Sequence, residues 1–291
     1  MSRRPPPPEL SDAPLAPGLY VVATPIGNLR DITLRALDVL AGADLVLAED
    51  TRVAGKLLSA FNLSKPLERY DEHAAERTGP KALAALANGA RVALVSDAGT
   101  PLVSDPGYRL VRGALAQGHA VIPIPGASAL LAALSVAGLP TDRFLFAGFP
   151  PPKSAARRTF FEELAGLRAT LVFFEGGSRL AASLADMADV FGAREAAVAR
   201  ELTKLYETVL RGSLADLAAD PRLAAPKGEI VVLVGPGRET AATAADADAA
   251  LADALSRLRP AEAAAEVAKA LGLPRRDLYR RAMAMRQERE E

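Results

Sequence analysis

A chain of 291 residues has room for two domains and a smaller third piece. Its 35 basic residues balance 35 acidic ones, so a uniformly basic coat for nucleic acid is excluded and any such contact has to be local. It has no cysteine and only His73 and His119 as histidines, which excludes a disulfide, a thiolate nucleophile and a multi-histidine zinc site. No metal is expected, and catalysis falls to carboxylates, hydroxyls, Arg, Lys or a borrowed cofactor.

Residues 1–16 carry Arg3-Arg4 followed by four prolines and no apolar stretch, which predicts a disordered tail on a soluble, cytoplasmic protein with no membrane partner. From residue 17 short apolar runs alternate with helical stretches, the pattern of a parallel sheet with crossover helices. Leu19–Ala23, Leu45–Ala48, Val92–Val95 and Ala120–Pro123 are the strand candidates. Asp31 is expected to cap a helix carrying Leu34, Leu37 and Leu40 that Gly42 stops; Asp105 with Pro106 opens another that Gly118 closes. Residues 17–125 thus form one α/β domain.

Gly126–Leu139 reads as a helix, and five strand candidates follow: Phe144–Phe146, Thr170–Phe174, Ala196–Ala199, Glu207–Leu210 and Ile230–Val234. They make residues 126–238 a second α/β domain, with 239–248 as an Ala-, Thr- and Asp-rich linker. In residues 249–291, Val267, Ala268, Leu271, Gly272, Leu273 and Leu278 give a helix–glycine turn–helix spacing. Between Arg257 and Arg286 eight basic residues face three acidic ones, a local charge of +5. Arg275, Arg276, Arg280 and Arg281 concentrate it on the second helix, where a phosphate backbone would be met. A solvated capping helix pair is the other reading of this tail.

Ligands of an open parallel sheet bind beyond the carboxyl ends of its strands. Four polar or glycine-bearing segments fall there: Thr24–Asn28, Glu49–Arg52, Ser96–Pro101 and Pro125–Ser128. No Gly-x-Gly-x-x-Gly follows the first strand and no Walker loop occurs, so dinucleotide and P-loop readings have little support.

The segments LYVVATPIGNLRD (19–31), AEDTR (48–52), VALVSDAGTPLVSDPG (92–107), AGLPTDRF (137–144), ARELTKLYE (199–207) and KGEIVV (227–232) resemble the tetrapyrrole methylase superfamily. Within it they resemble the bacterial branch that methylates a ribose 2′-hydroxyl of small-subunit ribosomal RNA. The resemblance spans residues 18–238, and the helical tail is similar to that branch's extra C-terminal domain. It implies two α/β domains with S-adenosyl-L-methionine in the cleft between them, a decoding-region cytidine of 16S rRNA as target, presented by the rRNA itself or by the small ribosomal subunit, and a homodimer. By correspondence Pro25, Gly27, Asp97, Ala98, Gly99, Thr100, Val103, Ala127 and Ser128 would contact the cofactor. One departure stands out: the family's histidine before the last residue of the segment Phe174–Arg179 is Ser178 here, while Glu175 and Arg179 remain.

A sulfonium donor brings its own electrophile, so the protein supplies in-line positioning and handling of one proton. A ribose hydroxyl is a poor nucleophile, which calls for a carboxylate or amine within hydrogen-bond reach. Asp50, Glu175 and Glu201 are the catalytic candidates, with Arg52, Arg179, Arg200 and Lys204 nearby to hold phosphate or tune a pKa. The alternatives are that Glu49 and Asp50 cap the following helix and that Arg200 pairs with Glu201 between domains. Lys153, Arg157 and Arg158 follow Phe149–Pro152 and are expected to form an RNA-gripping loop or a solvated run. Two rival functions remain open: a relative acting on a tetrapyrrole or a protein side chain, and a non-catalytic ribosome assembly factor.

Overall fold

The computed structural model describes residues 11, 13–237, 244–271 and 273–290. The proline run, linker residues 239–243 and the turn glycine Gly272 lie outside the described residues. The chain divides into two compact units, residues 1–236 and 237–291.

The larger unit opens with β1 (Gly18–Val22), α1 (Leu34–Gly42), β2 (Leu45–Ala48), α2 (Thr51–Ala60), β3 (Leu67–Arg69), α3 (Ala75–Ala87), β4 (Arg91–Val95), α4 (Tyr108–Ala116) and β5 (Val121–Ile124). The five strands form a wholly parallel sheet in the order β3-β2-β4-β1-β5. Alternation along each strand divides the core between its two faces. Tyr20, Val22, Val46, Ala48, Ala93 and Val95 pack with α1 and α2 on one side. Leu19, Leu47, Val92 and Leu94 pack with Ala82, Leu86 and Leu110 of α3 and α4 on the other. Both faces being covered, the strands read as continuous apolar runs, which made four of them visible in sequence. The edge strand β3 is three residues, Leu-Glu-Arg, and carries no such signal.

Two expected caps are corrected. Thr33, not Asp31, caps α1 by accepting from the Ala36 N–H; Asp31 belongs to a 3-10 turn that Asn28 caps. Asp105 does not open α4. That helix begins after Gly107, whose φ of 138° disfavours any side chain and where a Cβ would lie only 2.8 Å from Leu94 Cδ2. Asp105 is thereby released from capping and turns to the carboxyl ends of the strands.

Helix α5 (Ala129–Ala137), capped by Ser128 and ended by the left-handed Gly138, leads into β6 (Phe144–Phe146), α6 (Ser154–Leu164), β7 (Thr170–Gly176), α7 (Leu180–Phe191), β8 (Glu195–Arg200), β9 (Thr208–Ser213), α8 (Leu214–Ala219) and β10 (Glu229–Val234). This second sheet has the order β6-β7-β10-β8-β9, and only β6 and β7 are parallel. Phe161, Phe173, Leu184 and Met187 fill one face beneath α6–α8. Val172, Ala197, Ala199, Val231 and Leu233 meet Ala133, Leu134 and Ala137 of α5 on the other.

The smaller unit is three helices, α9 (Ala244–Leu255), α10 (Pro260–Leu271) and α11 (Arg275–Glu290). Leu251, Ala254, Ala263, Ala264, Val267, Leu278 and Ala282 form its core, the small alanines letting the helices approach. Residues 244–248, read from composition as linker, are the first turns of α9, where Asp248 pairs with Arg281. Among the described residues no helix is long and apolar enough to cross a membrane.

Candidate functional site

Hydrogen bonds gather the four strand-end segments into one rim. The Thr24 N–H donates to the Gly99 carbonyl at 2.8 Å and the Gly99 N–H donates back at 3.0 Å, clasping the loops after β1 and β4. The buried Thr24 hydroxyl adds a bond to the Ser96 carbonyl at 3.1 Å. Thr100 Oγ1 donates to the Ala127 carbonyl at 3.2 Å, and the Asp50 N–H to Asp97 Oδ1 at 3.0 Å, which ties in the loops after β5 and β2. Gly99 sits at φ 83°, a left-handed conformation that a side chain would strain.

Above this rim lies a cavity of about 280 Å³. One wall is Ile26, the Asp97–Thr100 turn, Val103–Asp105 and Ser128; the opposite wall is Phe174, Glu175, Ala199 and Glu229–Val231 of the second sheet. Among the described residues five non-glycines have positive φ, and four of them, Leu102, Ser104, Glu201 and Thr203, belong to the two loops bounding this cavity. Such strain persists only where surroundings impose it, and it gathers at ligand sites. The lining holds four carboxylates, Asp97, Asp105, Glu175 and Glu229, and among the described residues no Lys, Arg or His. Glu175 and Glu229 are paired with Arg179 and Lys204, and the carboxylates of Asp97 and Asp105 on the facing wall suit a cationic group.

Of the residues expected to hold a cofactor, Asp97, Ala98, Gly99, Thr100, Val103 and Ser128 form the wall. Ala127 stands behind it through its carbonyl, and Pro25 is half-buried beside Ile26. Gly27 packs against Lys204; a Cβ there would lie 2.4 Å from Lys204 Cγ.

The three catalytic candidates all have other partners. Asp50 is outside the cavity lining, caps α2 through the Arg52 N–H at 2.8 Å and pairs with the Arg52 guanidinium at 2.6 Å. Those contacts hold its carboxyl at about 2, so the capping alternative describes it. Glu175 is in the wall, but its oxygens accept from Arg179 at 2.7 Å, the Gly176 N–H at 2.8 Å and the Ser183 hydroxyl at 2.7 Å. Glu201 accepts from Lys204 Nζ at 2.9 Å and the Glu229 N–H at 3.0 Å, which lowers its pKa. Arg200 does not pair with it and instead donates to the Lys227 carbonyl at 2.7 Å.

The expected RNA-gripping loop is corrected. Arg157 and Arg158 lie within α6, and Lys153 is the exposed residue before it. Arg157 is 4 % exposed and bound to Asp186 at 2.6 Å, so it is structural and closed to nucleic acid. Arg158 pairs with Asp189 at 2.6 Å and remains partly exposed. Arg52 is exposed and Arg179 half-buried. In the helical unit Arg275, Arg276, Arg280 and Arg281 are all exposed on α11. Arg280 pairs with Asp277, Arg281 with Asp248, and Arg275 donates to the Ala261 carbonyl.

Sequence reasoning missed Asp105, Glu229 and the aromatic Phe149 and Phe174 of the lining. Burial, then Glu49 and Asp97, push the Asp105 carboxyl up to about 6, against a hydrogen bond with Ser96. Burial, with Asp97 and Asp71, raises Glu49 as well. Asp105 lies in the SDAGTPLVSDPG segment already singled out, but the Asp-Pro pair reads as a helix start.

Residues 18–218 match the family model described as Tetrapyrrole (Corrin/Porphyrin) Methylases. The chain belongs to the tetrapyrrole methylase family. This methylase also matches, over residues 241–286, the model described as RsmI C-terminal HTH domain. It is 54 % identical over 276 residues to the Ribosomal RNA small subunit methyltransferase I of Erythrobacter litoralis, covering 95 % of this chain and 98 % of the relative. The protein of the same name from Mesorhizobium japonicum is 51 % identical, with 96 % and 95 % covered. Among solved structures, the uroporphyrin-III-C-methyltransferase from Thermus thermophilus aligns with a TM-score of 0.54 and 25 % identity, over 75 % of this chain and 93 % of that one. The methylase is an S-adenosylmethionine-dependent methyltransferase by family. Its cavity fits that donor: a sulfonium cation would meet Asp97 and Asp105 on one wall, facing the ion-paired Glu175 and Glu229 on the other.

Proposed function

We propose that the chain methylates the ribose 2′-hydroxyl of a decoding-region cytidine in 16S rRNA within the small ribosomal subunit, working as a homodimer in the cytoplasm. The observation that carries the donor half of this reading is the cavity's four carboxylates without a basic side chain among the described residues. The identity to small-subunit rRNA methyltransferases across 95 % of the chain, helical unit included, supports the acceptor half.

When bound, the donor supplies an electrophilic methyl on sulfur, and the chain's part is to hold and align. The backbone of Asp97–Thr100, clasped to Thr24 and Ala127, offers N–H and C=O groups at fixed positions, with Pro25 and Gly27 behind it and Val103 and Ser128 beside it. Glu175, locked by Arg179 and Ser183, is a positioning residue in the opposite wall. Glu201, with Lys204, fixes the 201–207 loop against β10, and Asp50 orients Asp97 through its N–H. Arg52, Lys153, Arg158, Arg179, Arg200 and Lys204 are cations of the larger unit for phosphate, and Arg275, Arg276, Arg280 and Arg281 are those of the helical unit. Surface pairs such as Arg280–Asp277 are worth only about 0–1 kcal/mol and exchange readily for a phosphate.

Incubating the protein with small subunits and S-adenosylmethionine, then mapping the modified nucleotide by mass spectrometry, tests the reading. One methyl on a cytidine ribose is expected. A methylated base, transfer to a tetrapyrrole instead, or tight RNA binding without transfer would each replace it.

A further inference from the structure

The cavity shares lining residues with two neighbouring depressions. One, of about 530 Å³, is walled by Glu49, Asp71, Glu72, His73 and Pro106; the other, of about 480 Å³, by Tyr70, Glu76, Tyr108 and Arg109. Among the described residues Asp105 alone lines both depressions and the cavity. It therefore stands at the junction between the donor's place and an open groove. At the groove's mouth Tyr108 is 64 % exposed, with the Arg112 guanidinium 5.7 Å from its ring and Arg109 beside it. An exposed aromatic ring with guanidinium groups beside it is a surface on which an unstacked base can stack.

We propose that Asp105 is the proton acceptor of the transfer, facing the substrate hydroxyl from the junction of cavity and groove. The inference rests on the ribose-methylation reading above. As the substrate oxygen forms its bond to the methyl carbon, the carbon–sulfur bond breaks with its electron pair going to sulfur. The hydroxyl proton passes to an Asp105 carboxylate oxygen, leaving a methyl ether, a neutral thioether and a carboxylic acid.

Two of the other carboxylates of the site are held in ion pairs, and the third accepts from a backbone N–H. Glu175 has Arg179 and two hydrogen bonds, Glu229 has Lys204 at 3.0 Å, and Asp97 has the Asp50 N–H. Asp105 has the Ser96 hydroxyl as partner and the carboxylates of Glu49 and Asp97 as charged neighbours. Asp71, Glu72, His73, Tyr70, Tyr108 and Arg109 face it from the groove, and Glu175 and Glu229 from across the cavity. Its elevation to about 6 makes it a stronger base than an ordinary carboxylate while it stays ionised at neutral pH. The reading also accounts for Ser178: no histidine is needed there.

The test compares wild type, Asp105→Asn and Asp105→Glu with small subunits as acceptor. In the Asn variant, single-turnover transfer should fall by about 100-fold or more, with S-adenosylmethionine affinity within about 3-fold by calorimetry. The Glu variant should recover part of the rate. The acid limb near pH 6 in wild-type kcat/KM should vanish in Asp105→Asn. Calorimetry at pH 6 in two buffers gives a readout independent of turnover: binding of the cationic donor should release protons from wild type and fewer from Asp105→Asn. A rate within 3-fold of wild type, or an affinity loss that accounts for the whole rate loss, would overturn the assignment. Wild-type protein that binds the donor yet transfers nothing to small subunits would overturn the proposed function, before any variant is compared.

Discussion

Replacing Arg157 by Ala tests whether this cation belongs to the scaffold or to an RNA surface. Its guanidinium donates to Asp186 through Nε at 2.8 Å and lies 2.6 Å from it through Nη2. It also reaches the carbonyls of Pro152 at 3.2 Å and Ala182 at 3.4 Å. Breaking a buried ion pair by deleting one member costs about 3–5 kcal/mol, because the other charge is stranded. Asp186 would keep the Ser154 hydroxyl at 3.0 Å and Arg158 at 3.5 Å, so the loss should sit near the lower end, about 3 kcal/mol. With a urea dependence of about 1–3 kcal/mol per molar, the unfolding midpoint followed by far-UV circular dichroism should drop by about 1–3 M. Arg158→Ala removes a half-exposed pair with Asp189 and should cost less than about 1 kcal/mol. If Arg157→Ala unfolds within 1 kcal/mol of wild type, on the order of measurement scatter, but binds RNA poorly, the buried-pair reasoning is wrong.

Gly99→Arg places a side chain at φ 83°, with a Cβ 3.3 Å from Ile26 Cγ2, a strain of about 1–2 kcal/mol before the remaining atoms enter the cavity. Together with Asp97→Ala, which strands the Asp50 N–H, it should weaken S-adenosylmethionine binding at least 10-fold, on the order of 1.4 kcal/mol; normal titrations for both would remove this turn from the site. Arg275→Ala with Arg276→Ala should lower the salt slope of RNA binding by about 0.7–0.9 per lost phosphate contact and leave cofactor affinity alone; an unchanged slope means that α11 does not touch RNA. Because Asp105 is raised from 3.8 to about 6, the native state holds a proton that the unfolded chain lacks between those pH values, and stability falls as pH rises through that window. Asp105→Asn should therefore gain stability relative to wild type between pH 4 and pH 7 in thermal unfolding, and a difference independent of pH would show that Asp105 is not perturbed.

The chain order of the elements, and the rim of loops that clasps the site, were legible from local pattern. Strands buried on both faces leave continuous apolar runs such as Val92–Val95, and turns demanding a left-handed residue leave glycines such as Gly99. The direction of the second sheet was not legible, because an apolar run is the same whichever neighbour it joins. Nor was β3, whose three residues carry no period. Which charges are buried was decided only in three dimensions. Arg157 and Lys153 are equivalent cations in the sequence, yet one is closed in by Asp186 and the other faces solvent. Asp50, Glu175 and Glu201 each had a cation close by in the sequence, and the structure shows Arg52, Arg179 and Lys204 turned onto them as ion-pair partners. Asp105 looks like a helix cap until Gly107 takes over the start of α4 and leaves its carboxyl among other carboxylates. Periodicity and turn chemistry are properties of neighbouring residues and so are written along the chain. Burial, and pairs such as Arg157 with Asp186, depend on residues far apart in sequence, and only the folded structure brings them together.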